Sequence, residues 1–487
     1  MPEKIGGIAV TTGERHRLLV PKSSPHRILG HYRSVVYYFS FISVANSHFT
    51  RKCYTNIKTQ LLDGGVNPCL MSLMDAVFML FYAVGSFFFG NLGHGAHAPS
   101  VVGMGLIGSG LSILLLAVGF WVEIREKVHP MLGNVVFLVL WMFHGIMQST
   151  GGPNNTLIMS NWFGVKNRVF IFGTWTCHQH FGNIMAALVA AAVLHYSTVP
   201  WLWALLIPSV SNIIWGVVCI AILPETPEAV GLELPELDRI PVASRRTETT
   251  NAEASTATTA PPPLTVIETF LIPNVAGYSL AFGLFKFINY TLYFWLPFYL
   301  SQRWNSVEGN LMSILFDIGM IPAGLIVGMA SDLYGGRRAC VIATFITILA
   351  IVFLVLTFFA ESLSAGGMLA VLALMGCLVG GPNNIITSAV AVDLSGHPAI
   401  RGNARALGSV TGLINGTGGI LASMLLLGVG YLQLAHGWRA VWFMLAVFSM
   451  AGTLLLGPQI RREIAPFTGP SNAAGAASSR QGGYEKV

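Results

Sequence analysis

Charge is scarce in this chain. Asp, Glu, Lys and Arg make up 10% of its 487 residues, against about 25% in soluble globular domains, while 53% are hydrophobic. That deficit excludes a water-soluble fold and leaves a bundle of helices whose outer solvent is lipid. Cysteine is also sparse. Cys53, Cys69, Cys177, Cys219, Cys340 and Cys377 fall in or beside apolar runs, with no spacing that reads as a disulfide framework or a metal site. Missing too are a nucleophile–base constellation and a phosphate-cradling loop followed by a strand. Neither an enzyme nor a cofactor is expected. The residues up to Gly30 have no apolar core of the signal-peptide kind, so the first spanning segment is expected to direct insertion. The net charge is +6, but the cations gather at the ends of apolar runs, where the positive-inside rule places them. That argues against nucleic acid as a partner.

What is there is a series of about twelve runs, each of the roughly 20 residues that span a bilayer. They lie near 32–57, 70–92, 99–122, 131–157, 168–195, 201–223, 269–300, 309–331, 339–360, 366–392, 405–433 and 438–458. The expected fold is an all-α membrane protein of twelve transmembrane helices in two pseudo-symmetric six-helix halves, residues 31–223 and 269–458. Residues 1–30 and 459–487 are expected as tails and 224–268 as a linker. The stretch from Arg245 to Pro263 is too poor in apolar residues to fold alone. Arg15, Arg17, Lys22, Arg27, Arg33, Lys166, Arg245, Arg337, Arg401 and Arg461 fall on the side of the chain ends, and few cations fall on the other. Both termini are therefore expected to be cytoplasmic.

Against this background two places stand out. Arg51 and Lys52 sit inside the first apolar run, and Lys286 sits inside the seventh. A Lys or Arg at mid-bilayer costs about 2.5–3.5 kcal/mol on insertion scales, and such a residue faces a protein interior or a wet cavity. At helical spacing Tyr37, Ser40, Ser47, Arg51, Tyr54 and Lys58 form one polar stripe. Adjacent residues diverge by about 100°, so Arg51 and Lys52 cannot both point inward. Arg51 is the preferred anion ligand, because guanidinium offers forked donors suited to phosphate oxygens. For Lys52, snorkelling to the interface competes with ligand contact. Lys286, Asn289, Tyr290 and Tyr293 fall at i, i+3, i+4 and i+7, one face of a helix. A cation, an amide and two phenols suit a phosphorylated sugar. The rival reading for both Arg51 and Lys286 is a structural pair with a buried acid.

His48 lies one turn from Arg51, and the fifth run holds His178 and His180. A histidine near its ordinary pKa of about 6.5 can follow the ionisation of phosphate, which makes His178 a candidate ligand. A hydrogen-bonded core histidine is its rival, and His180 is read as structural. Asp75, Asp317 and Asp393 also lie in or at the ends of apolar runs. They are proton sites if the chain is proton-coupled, and gating partners if it exchanges anions. Asp75 and Asp317 are taken as gates.

The halves repeat. Gly151-Gly152-Pro153-Asn154-Asn155 recurs as Gly380-Gly381-Pro382-Asn383-Asn384, each copy late in the fourth run of its half. The Gly-Pro prefix is expected to kink the helix. Gly328-Met329-Ala330-Ser331-Asp332-Leu333-Tyr334-Gly335-Gly336-Arg337-Arg338 resembles the loop between helices eight and nine of the major facilitator superfamily, which has this two-half architecture. Asp332 and Arg337 are expected to work the gate on the cytoplasmic side. The corresponding Gly90-Asn91-Leu92-Gly93-His94 lacks the acid and the arginines.

A narrower resemblance covers nearly all the runs. His48-Phe49-Thr50-Arg51-Lys52, Leu73-Met74-Asp75-Ala76-Val77-Phe78, Asn161-Trp162-Phe163-Gly164, Trp175, His178, Lys286 with Tyr290-Thr291, Leu315-Phe316-Asp317-Ile318-Gly319 and Gly402-Asn403-Ala404-Arg405 are similar to the sugar-phosphate exchanger family of solute carriers. These belong to the organophosphate:phosphate antiporters. The resemblance implies exchange of a sugar phosphate, typically glucose 6-phosphate, for inorganic phosphate, usually across the endoplasmic reticulum membrane. It gives phosphate-ligand roles to Arg51 and Lys286, and a weaker one to His178. The chain departs from the family in a short loop between the first two runs, about Leu61–Cys69, and in the lost charges of the next loop. The seventh-helix cation of bacterial glycerol-phosphate relatives falls at Asn289, one turn from Lys286. Two other readings stay open: a proton-coupled carrier of another solute using Asp75 and Asp317, and a non-transporting hexose-phosphate sensor.

Overall fold

The structure, a computed structural model, describes residues 25–92, 97–121, 129–164, 168–232, 266–395 and 406–465. The linker from 233 to 265, the tails up to 24 and from 466, and both His94 and Gly402–Arg405 lie outside the described residues.

Among the described residues there are twelve long helices. In the first half these are α1 (Pro25–Asn56), α2 (Pro68–Leu92), α3 (Ala98–Trp121), α4 (Pro130–Ser149 continued by Gly151–Trp162), α5 (Arg168–Trp175 continued by His178–Tyr196) and α6 (Pro200–Ile222). In the second they are α7 (Val275–Arg303), α8 (Ser306–Leu333), α9 (Arg338–Phe359) and α10 (Ala365–Ile385, continued through Ile386–Val390 to Ser395). The last helical stretch, Ala406–Leu455, is two helices, α11 (406–436) and α12 (438–455), divided at Gly437. That glycine has φ 73°, a left-handed conformation that a Cβ would strain. Helical structure reaches a few residues into both stretches read as tails, at Pro25 and in a short helix Gly457–Ile464.

Length and hydropathy alone pick out nine of these stretches among the described residues, the last of them covering both α11 and α12. The two helices that fail this test are α1 and α7, which carry Arg51, Lys52 and Lys286. Polarity is concentrated in the helices that must face something other than lipid. Outward side chains elsewhere are apolar, as with Leu115, Val118, Phe358 and Leu454.

The halves meet along three helix pairs: α1 with α7, α2 with α11 and α5 with α8. Gly430 of α11 lies so close to the Pro68 carbonyl of α2 that no side chain fits there, and its N–H bonds Ser72 Oγ at 2.5 Å. The seal is uneven along the membrane normal. In α1 residues 49–58 are buried on every face, and in α7 so are residues 291–301, whereas Lys286, Asn289 and Tyr290 are partly exposed. The described hydrogen bonds between halves lie at the sealed end or at mid-depth: Gln60 to Ser306, Asn310 to the Asn56 carbonyl, Lys52 to the Tyr293 carbonyl, and His180 and Asn183 to Asp317. Among the described residues the halves are thus closed on the side away from the chain ends and parted toward them.

The repeated Gly-Gly-Pro-Asn-Asn segments interrupt their helices. In α4 the regular helix breaks at Thr150, just before the first copy. In α10 a wider π-helical turn, Ile386–Val390, follows the second. Both agree with a proline that removes one N–H from the ladder.

Candidate substrate-binding site

Arg51 and Lys52 leave α1 in different directions, as 100° of helical rotation requires. Arg51 is buried, at 3% exposure. Its Nε donates to Gln148 Oε1 of α4 at 2.9 Å, and its guanidinium carbon lies 4.9 Å and 4.8 Å from the ring centres of Phe78 and Tyr82 on α2. Tyr290 and Tyr293 of α7 also bear electrostatically on it. Lys52 turns to the other half. Its Nζ donates to the Tyr293 carbonyl at 2.8 Å and sits 4.3 Å from the Tyr293 ring centre. That carbonyl is free because Pro297, four residues on, has no N–H to give it. Lys52 is therefore a tie between the halves in this state.

Lys286 lies across from Arg51 and within electrostatic range of it. Its Nζ bonds the Asn415 carbonyl of α11 at 3.2 Å. Its stem runs past Gly418 and Gly419, where Ala83 of α2 also closes in. It faces the interior, together with the partly exposed Tyr290 one turn on. Tyr293, by contrast, is buried. Among the described residues no carboxylate pairs with Arg51 or Lys286.

The acids are engaged elsewhere. Asp75 is paired with Lys58 at 2.6 Å, both fully buried, and Lys58 Nζ lies 4.2 Å from the ring centre of Trp295 on α7. Lys58, read from sequence as part of the polar stripe of the first run, is a core residue. Asp317 accepts from Asn183 at 2.7 Å and lies 3.1 Å from His180 Nδ1. His180, taken as structural, thus links α5 to α8 across the halves. His48 and His178 lie with ring centres 6.3 Å apart. His178 is packed edge-on to Trp175, and the Nδ1 of both histidines is buried without a partner.

The loop between α8 and α9 differs from expectation. Asp332 and Arg337 are exposed and make no ion pair among the described residues. The pair is formed by Arg338, with Asp393 at 2.7 Å, while Glu463 caps the first turn of α9 through the Ala339 and Cys340 N–H groups. In this state the described residues set no ion-pair partner opposite Asp332.

Sequence reasoning missed Gln148 and the Lys58–Asp75 pair. A lone amide in an apolar run gives no sign of its partner. Lys58 sits at the end of its run, and its acid comes from another helix.

Comparisons with known proteins agree with this geometry. Residues 40–426 match the family model described as Major Facilitator Superfamily. The chain is 30% identical to putative glycerol-3-phosphate transporter 1 of Arabidopsis thaliana, covering 89% of each. It is 31% identical to the glucose-6-phosphate exchanger SLC37A2 of Xenopus laevis, covering 82% of each. Among solved structures it is similar to the nucleoside transporter NupG, with a TM-score of 0.64 at 13% identity, covering 88% of this chain and 99% of that one.

Proposed function

The chain belongs to the major facilitator superfamily, among its sugar-phosphate exchangers and glycerol-phosphate transporters, and from that premise we propose that it exchanges a sugar phosphate for inorganic phosphate by alternating access. Its fold and lineage are those of integral membrane transporters of organophosphates. Glucose 6-phosphate is the proposed sugar phosphate, the endoplasmic reticulum membrane the proposed location, and the cytoplasm the proposed side of both termini. Residues 31–223 and 269–458 are the proposed moving halves, tethered by 224–268.

The observation that carries this reading is the pair of cations. Arg51 from one half and Lys286 from the other face the same interior space, and neither has a carboxylate partner among the described residues. Two like charges in a medium of low dielectric repel, so the empty carrier resists bringing its halves together there. An anion between them removes that cost. A ligand shifts such an equilibrium only by its differential affinity for the two states, and a phosphoryl group gains most where both cations reach it. Crossing is then favoured when loaded, which yields exchange rather than leak. Asn289, Tyr290 and Tyr293 are proposed to receive the sugar, and His48 and His178, each with a free ring nitrogen, to assist at the phosphoryl oxygens. Lys52 and the Asp317–His180 contact are proposed as ties of the closed gate, with Asp75 held behind them by Lys58. Asp332 and Arg337 are proposed to engage when the other side shuts.

In proteoliposomes, Arg51→Ala and Lys286→Ala should each abolish phosphate-for-phosphate exchange. Near-normal exchange in both variants contradicts the reading. Uptake driven by a pH gradient without internal phosphate would replace it with proton coupling. Counterflow of labelled phosphate against hexose, triose and glycerol phosphates identifies the preferred sugar phosphate.

A further inference from the structure

We propose that Gln148 is the positioning residue of the anion site: a neutral acceptor that aims Arg51 while leaving its charge uncompensated, so that the site takes a doubly charged phosphoryl group. This rests on the organophosphate reading above and adds a charge preference to it.

Gln148 is buried at 3% exposure in the middle of α4. Its Oε1 accepts from Arg51 Nε at 2.9 Å and its Nε2 donates to the Ser47 carbonyl at 2.8 Å. Ser47 lies one helical turn before Arg51, so the amide spans the turn of α1 that carries the guanidinium. The two bonds fix which end of the amide is which, because a flipped amide would set NH2 against N–H. Only a side chain with one acceptor end and one donor end completes both contacts.

The choice of Nε matters. Arg51 gives its single inner donor to Gln148, which leaves the terminal fork, the part that grips a phosphoryl group through two parallel bonds, facing only the neutral phenols of Tyr82 and Tyr290, contacts that an anion can replace. The rings of Phe78 and Tyr82 flank the guanidinium and leave it few other directions. A glutamate would satisfy the same Nε, as acids commonly do for buried arginines. A neutral amide does so without cancelling the charge. Among the described residues the charged and titratable groups around Arg51 are Tyr82 on α2, His144 on α4, Lys286, Tyr290 and Tyr293 on α7, and Lys52 and His48 on α1 with His178 and His180 of α5 behind His48. One carboxylate, Asp317, bears on Lys52 and Tyr293 but is bonded to His180 and Asn183 and not to Arg51, and Asp75 is held by Lys58. With Lys286 the site presents two positive charges, a match for a phosphoryl dianion.

The test is the pH dependence of the KM for phosphate in proteoliposomes, for the wild type, Gln148→Glu and Gln148→Met. Phosphoryl groups take their second charge at about pH 6 to 7. Between pH 6 and 8 the wild-type KM should fall several-fold as the dianion fills. Gln148→Glu keeps an acceptor for Nε but removes one net positive charge, so its KM should rise over the same interval and stand at least about tenfold above wild type at pH 8, roughly one factor of ten per 1.4 kcal/mol. Gln148→Met keeps the charge and loses the aim. Its KM should rise about tenfold at every pH, with the wild-type slope and little change in kcat. The surrounding histidines are present in all three proteins, so the difference between profiles isolates position 148. Size-exclusion and thermal denaturation in detergent verify assembly, and if Gln148→Glu does not assemble, Gln148→Met decides. A Gln148→Glu profile that falls like wild type, or a Gln148→Met KM equal to wild type, overturns the inference while leaving the exchanger reading intact. A wild-type protein that exchanges no phosphate at all overturns both.

Discussion

Adjacent residues in α1 carry different tasks because a helix turns them apart. Arg51 bonds Gln148 of α4 within its own half, while Lys52 reaches α7 of the other. One turn or two beyond, Lys58 is buried with Asp75 under Trp295. Breaking a buried ion pair by removing one partner costs about 3–5 kcal/mol, whereas replacing both with apolar groups is often neutral. Asp75→Asn should therefore lower thermal stability in detergent by several degrees, and Lys58→Met with Asp75→Leu should recover most of the loss. Equal losses in the single and double variants would show that the pair is not a closed unit. At this scale the sequence was informative where a charge stood out against apolar neighbours, as for Arg51 and Lys286. It was silent where partners come from different helices, as for Gln148 with Arg51, Lys58 with Asp75 and His180 with Asp317, because spacing along one helix carries no record of what another brings to it.

Among the elements, α7 is the one whose irregularity is put to use. Pro297 removes an N–H from the helix ladder, the Tyr293 carbonyl is freed, and Lys52 takes it across the interface. Pro297→Ala would supply the missing donor and compete with Lys52. The far-side seal should then loosen, raising the labelling rate of a cysteine placed at Ser306, which meets Gln60 in the closed state, by an impermeant maleimide several-fold. An unchanged rate would mean that Lys52 does not hold the seal. The kinks of α4 and α10 were legible from the repeated Gly-Gly-Pro-Asn-Asn. The loop between α8 and α9 was legible as a motif, but not the arginine that pairs. Two adjacent arginines, Arg337 and Arg338, are indistinguishable in a pattern, and only packing against α10 selects Arg338 for Asp393.

The whole molecule is two six-helix halves joined at mid-depth and on the far side and parted toward the chain ends. The number of helices and the halves were readable from the apolar runs, since every spanning run must satisfy its own backbone in lipid. The state was not readable, because one sequence serves both ends of the transport cycle and its motifs do not record which gate is shut. In the proposed cycle the bonds of Lys52, Asn310 and Asp317 break while Asp332 and Arg337 find partners, and a cation from each half, unneutralised until an anion arrives, links that exchange of gates to cargo. The most direct measurement is efflux of labelled phosphate from proteoliposomes with and without phosphate or glucose 6-phosphate outside. The account predicts rapid efflux only when an outside anion is present, and none in either condition for Arg51→Ala or Lys286→Ala. Efflux at the same rate into anion-free buffer, or unaltered exchange in those variants, would contradict it.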